Sequence, residues 1–221
     1  MTSSASQSAT LFASGRKPMN GQSFLTILAA WLAIVLLLGA SGIFLGAPGQ
    51  PPLLLFAAAV LPVTLFGIAV RASQGFREFV LALDFRLIVG MQAWRYAGFG
   101  FVALYANHVL PGLFAWPAGL GDMAIGLVAP WWIVTLSRNP DAMTGPRFKL
   151  WNVLGILDFV VAFTTAAICA MLITDPGVPS IVPMGRLPLV LIPAFMVPLF
   201  VMMHAAALMQ ARERETARAA V

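Results

Sequence analysis

The chain has 221 residues, of which 60% are hydrophobic and 10% charged, with a mean hydropathy of +0.90 and a formal net charge of +5. Soluble domains carry roughly 25% charged residues, so these figures exclude an ordinary soluble fold and predict an all-α membrane protein whose first partner is the lipid bilayer. The single cysteine, Cys169, rules out an intramolecular disulfide and a cysteine-based metal site, and the scattered basic residues, with no block and no aromatic interleaving, argue against nucleic acid.

Residues 1–23 are rich in Ser, Ala, Gln and Thr without apolar periodicity, and predict a disordered tail. Beyond them, six apolar stretches approach the length that crosses the hydrocarbon core: Phe24 to Phe44, Leu53 to Val70, Leu87 to Ala106, Leu113 to Leu136, Leu150 to Ile173 and Leu187 to Met209. They predict a bundle of six transmembrane helices over residues 24–209, followed by a basic C-terminal tail over residues 210–221. Residues 24–38 also fit the apolar core of a signal peptide, with Gly39, Ala40 and Ser41 as small residues near a cleavage point. Between spans two and three, Phe76, Phe79, Val80 and Leu83 recur at helical spacing while Arg77, Glu78 and Asp84 point elsewhere. This pattern predicts a short interfacial amphipathic helix. In span six, Pro188, Pro193 and Pro198 remove backbone donors at regular intervals and predict a kinked or broken helix.

The charges set an orientation. Eleven basic residues flank one face of the six stretches: Arg16, Lys17, Arg71, Arg77, Arg86, Arg138, Arg147, Lys149, Arg212, Arg214 and Arg218; the opposite loops contain only Arg186. The positive-inside rule then places both termini in the cytoplasm. Short loops and compact ends fit a bacterial inner-membrane protein, and six spans are few for a complete transporter, which favours a homodimer.

Arg95, Asp122 and Asp158 each fall near the middle of an apolar run, where a single charge costs about 2.5–3.5 kcal/mol on insertion scales. At ~1.5 Å per residue, all three come out near the midplane, so one guanidinium facing two carboxylates is expected. Two acids against one base leave an odd carboxylate, suited to a proton or a cation. Gln92 stands one turn before Arg95, able to hold a carboxylate or a solute. Asn152 is placed at the cytoplasmic rim of span five, and His204 near the cytoplasmic side of span six. The six residues Gln92, Arg95, Asp122, Asn152, Asp158 and His204 are the candidate proton- or ligand-binding set. The corresponding function is a proton- or cation-coupled small-solute transporter or ligand-binding protein. The alternative is a noncatalytic scaffold or accessory subunit in which the charges only clamp the helices.

Gly119-Leu120-Gly121-Asp122 resembles the Gly-x-Gly-Asp signature of intramembrane aspartyl proteases, over four residues. The resemblance implies hydrolysis by two membrane aspartates sharing a proton. Asp158 would then be the second aspartate and Pro193-Ala194-Phe195 the counterpart of the later Pro-Ala-Leu element. The chain departs from that family in the order of the aspartates and in having Leu157 where a tyrosine is often found, and Arg95 opposes a shared proton. His108 and His204 lie toward opposite membrane faces and cannot ligate one haem, so no cofactor or metal is expected. No nucleotide loop, zinc pattern or Ser/His/Asp constellation calls for an enzyme. Trp116, Trp131, Trp132 and Trp151 fall toward span ends, as in an aromatic belt; Trp94, beside Arg95, faces either a cavity or lipid.

Overall fold

The computed structural model describes residues 21–47, 49–175 and 177–220. Most of the expected disordered tail lies outside these residues, and its last three positions are already helical. Regular structure among the described residues is entirely helical, and six helical stretches are long and apolar enough to cross a membrane. The chain reads as a polytopic membrane protein.

Span one is α1 (Gly21–Ala40), ending before the expected Phe44 because Gly42 turns the chain at φ 74. Span two is α2 (Leu53–Ala72), and a short helix, α3 (Gln74–Ala82), follows it. Span three is built in three pieces: α4 (Phe85–Met91), a 3₁₀ stretch (Gln92–Gly98) and α5 (Phe99–Ala106). Spans four and five are the long helices α6 (Gly112–Arg138) and α7 (Pro146–Leu172). Span six opens with a π-wound turn (Ile192–Met196) and continues as α8 (Val197–Ala219).

Two expected boundaries shift for identifiable reasons. The sixth helix does not begin at Leu187, because residues 187–190 are held in turns by the bonds Val190 N to Arg186 O and Leu191 N to Pro188 O. Pro198 cannot donate to the carbonyl four residues back and its ring clashes with it. The turn before it is accordingly wound wider, with Val197 N bonded to Ile192 O. At the other end the supposed tail is helical through Ala219 and docks on the bundle. Arg77 pairs with Glu213 at 2.7 Å, Lys149 with Glu215, and Arg218 with Asp141. Gln210 Nε2 donates to the carbonyls of Val80, Leu81 and Leu83, satisfying groups that a helix end leaves open.

The amphipathic helix is present as α3, but its apolar face meets protein. Phe79 packs on Phe24 at 5.3 Å between ring centroids, Phe76 on Phe66 at 5.7 Å, and Val80 is buried. Ser73 caps its start by accepting from Phe76 N.

Span three and α6 approach closely through glycine. A β-carbon at Gly126 would lie 2.6 Å from Tyr96 N, and one at Gly119 would lie 2.9 Å from both Gly98 O and Val102 Cγ2. Small residues bring membrane helices together where no hydrophobic driving force does so. Gly126→Ala should therefore lower the thermal unfolding midpoint in detergent, with a loss on the order of 1–3 kcal/mol for forced overpacking. Gly100→Ala, where nothing lies within 4 Å, should leave the midpoint unchanged or slightly raised.

Candidate functional site: a buried arginine between two aspartates

Winding span three as 3₁₀ eclipses residues three apart. Gln92, Arg95 and Gly98 thus share one edge, and they are the buried residues of that stretch. The Arg95 side chain has no exposed surface. Its Nε donates to Asp122 Oδ1 at 2.7 Å and its Nη2 to Asp158 Oδ2 at 2.5 Å. Its Nη1 donates to Gly155 O at 3.1 Å and to His204 Nε2 at 3.0 Å. The guanidinium carbon lies 4.0 Å from the centroid of the Phe159 ring, a cation–π contact in a desolvated setting.

An arginine donates and cannot accept, which fixes the histidine. His204 Nε2 is the acceptor, so the ring hydrogen is on Nδ1 and is donated to Asn152 Oδ1 at 2.9 Å. Asn152 Nδ2 in turn donates to Phe148 O at 2.9 Å. Trp151 stands edge-on to the His204 ring at 5.5 Å, and Trp132 and Phe148 extend this aromatic wall. Three glycines provide the room. A β-carbon at Gly98 would strike Asp122, one at Gly121 the Asp158 carboxylate, and one at Gly155 the His204 ring.

Arg95, Asp122 and Asp158 meet as their depths in the spans imply. Asn152 and His204 also belong to the cluster, against the expectation that both lie near the membrane edge. The cause is helix length: α7 starts at Pro146, which sets Asn152 ~9 Å inside, and span six starts at Ile192, which puts His204 ~18 Å along it rather than ~26 Å. Gln92 shares Arg95's edge but reaches neither carboxylate. Its Nε2 donates to Phe200 O at 3.2 Å, and its Oε1 is buried without a partner among the described residues. Trp94 is 67% exposed and points out of the bundle, while Trp132 and Trp151 are buried rather than belt residues. His204 has both nitrogens in protein hydrogen bonds, leaving no lone pair for a metal.

Gly155 and Phe159 are the participants that sequence reasoning missed. The signal was the recurrence of Asn152, Gly155, Asp158 and Phe159 on one face of α7, masked by a glycine and a phenylalanine that are ordinary in any apolar span.

Each carboxylate gives one oxygen to Arg95 and keeps a little accessible surface, 13% for the Asp122 side chain and 11% for Asp158. Asp122 is one of the residues lining a cavity of about 50 Å³, together with Phe56, Phe101, Phe114, Phe159 and Phe163. Pro52, Leu55 and Ile181 line both this cavity and a vestibule of about 300 Å³ that also touches Gln50, Thr174, Asp175 and Ser180. The vestibule belongs to the loops opposite the basic end.

Residues 52–212 match the family described as Domain of unknown function (DUF8737). The chain belongs to this family. No curated protein and no solved structure is similar to it. The family region starts at Pro52, so it includes every residue of the cluster and every residue lining the cavity, and leaves out α1. The DUF8737 region therefore carries the whole site.

Removing the guanidinium leaves two carboxylates without a partner in a low-dielectric interior. Arg95→Gln should cost about 3–5 kcal/mol, the usual penalty for breaking a buried ion pair from one side, read as a lowered unfolding midpoint in detergent. Adding Asp122→Asn and Asp158→Asn to it should recover part of the loss, a coupling that independent sites would not show.

Proposed function

We propose that this protein is a small-solute binding protein of the membrane, acting in proton- or cation-coupled transport, with the Arg95, Asp122 and Asp158 cluster at the bottom of its binding path. The observation that carries this reading is the cavity lined by Asp122, which adjoins an open vestibule at Pro52, Leu55 and Ile181. A charge clamp needs no cavity beside its carboxylate. The opposite end is tied shut by the ion pairs of α8 and by Gln210, so the arrangement resembles one side of an alternating-access cycle.

The proposed orientation puts the basic end and both termini in the cytoplasm of a bacterial inner membrane, on the positive-inside rule, with the vestibule facing outward. The broadly exposed apolar residues of α1 and α2, among them Leu37, Leu53 and Val60, leave room for lipid or for a second copy.

A noncatalytic scaffold is the second reading, favoured by how fully Arg95 is saturated: its donors find four acceptors and an aromatic face. The aspartyl protease reading draws no support, because the guanidinium stands between the two carboxylates and each is bonded to a different nitrogen.

In a Cys169→Ser background, Ala166→Cys would place a thiol on the cavity wall and Ser180→Cys one in the vestibule. A small neutral thiol reagent, with an impermeant thiol quencher confined to the opposite side, should modify both from the outer side of oriented vesicles and neither from the cytoplasmic side. Modification of Ser180→Cys alone would mean that the core is sealed, leaving the scaffold reading; modification from the basic side would reverse the proposed orientation.

A further inference from the structure

We infer that the cavity above Asp122 is a binding site for the head of a small organic ammonium ion, with the remainder of the molecule in the vestibule. This rests on the solute-binding reading of the same site and narrows it to a chemical class.

Charge comes first. Among the described residues Arg95 is the only cation in contact with the two carboxylates, and His204 accepts a hydrogen bond from it, so the ring brings no positive charge. With both acids ionised, the cluster holds one more negative than positive charge, which a monovalent cation offsets. Asp122 is the only charged residue among the described residues that line the cavity, and its Oδ2 takes no hydrogen bond from the described residues. An anionic ligand would meet a carboxylate there with no cation reachable past it.

The walls select the kind of cation. A metal ion needs several oxygen ligands, whereas this cavity offers one carboxylate and a lining that is otherwise apolar. Five phenylalanines contribute to it: Phe56 and Phe163 pack edge to face at 5.1 Å, Phe101 and Phe114 at 5.4 Å, and Phe159 already holds the Arg95 guanidinium. A ring-rich wall with one carboxylate suits an alkylammonium, whose charge is spread over methyl groups that shed water readily. The size agrees. One water needs roughly 10–15 Å³, so a cavity of about 50 Å³ takes a head of three to five such groups, as in trimethylammonium. The polar side chains of Gln50, Thr174 and Ser180 in the vestibule then suit a hydroxylated or otherwise polar remainder.

The test uses the full chain in detergent or nanodiscs and two probes of one shape, choline and its uncharged carbon isostere 3,3-dimethylbutan-1-ol. Isothermal titration and protection of Ala166→Cys against a neutral thiol reagent are the readouts. Choline should bind and protect at least about tenfold more tightly than the isostere, the preference of a desolvated aromatic and carboxylate site for a cation. Asp122→Asn should abolish the preference. Should that variant fail to fold, Phe163→Leu, which keeps an apolar wall, should reduce choline binding while leaving the isostere's affinity nearly unchanged. Equal binding of the two probes would overturn the inference and point to a lipid or apolar ligand. Failure of choline to bind while Ala166→Cys remains reactive would overturn it and leave the solute-binding reading standing. A thiol at position 166 that no reagent reaches would remove both.

Discussion

A guanidinium with no exposed surface, held in the middle of an apolar bundle, is the constraint around which the other helices are arranged. A lone charge there is so unfavourable that its acceptors must come from three separate spans: Asp122 from α6, Gly155 and Asp158 from α7, and His204 from α8. These bonds fix rotation and height together, because a helix turned by one residue presents a different side chain. The glycines follow from the same demand. Gly98, Gly121 and Gly155 lie where a β-carbon would displace a member of the cluster, so close helix approach and charge pairing are one requirement.

Irregular backbone occurs where it serves this geometry. The 3₁₀ stretch aligns Gln92, Arg95 and Gly98 on one edge, which an α-helix would spread around its surface. The π-wound turn at Ile192–Met196 lies beside the cavity, with Ile192 and Pro193 among its lining residues. Departures of this kind are common at functional positions in helices.

The two ends of the bundle differ in ways that bear on function. At one, the extended α8 is tied to its neighbours through ion pairs and the amide of Gln210. The other is made of proline- and glycine-rich loops around an open vestibule. Exposed ion pairs are individually weak, so this end is held by several small contributions. The Arg95 cluster is of the opposite kind, buried and mutually dependent.

The amino-acid sequence by itself determined the number and approximate limits of the spans, because apolar length against bilayer thickness is a one-dimensional property. It also determined that Arg95, Asp122 and Asp158 meet, since depth along a helix follows from counting residues. The amphipathic pattern at Phe76, Phe79 and Val80 was equally legible, though not that Phe24, Phe66 and α8 cover it. What only the tertiary structure decided depends on rotation, helix ends and winding. His204 and Asn152 entered the cluster because their helices begin later and earlier than hydropathy implies, the turns over residues 187–190 and the polar first turn of α7 being invisible to an apolar count. Gln92 left it because the 3₁₀ edge aims its amide at Phe200 O. The cavity on Asp122 exists only where residues far apart in the chain, from Pro52 to Val197, fail to fill the space between them, and no local pattern records a void.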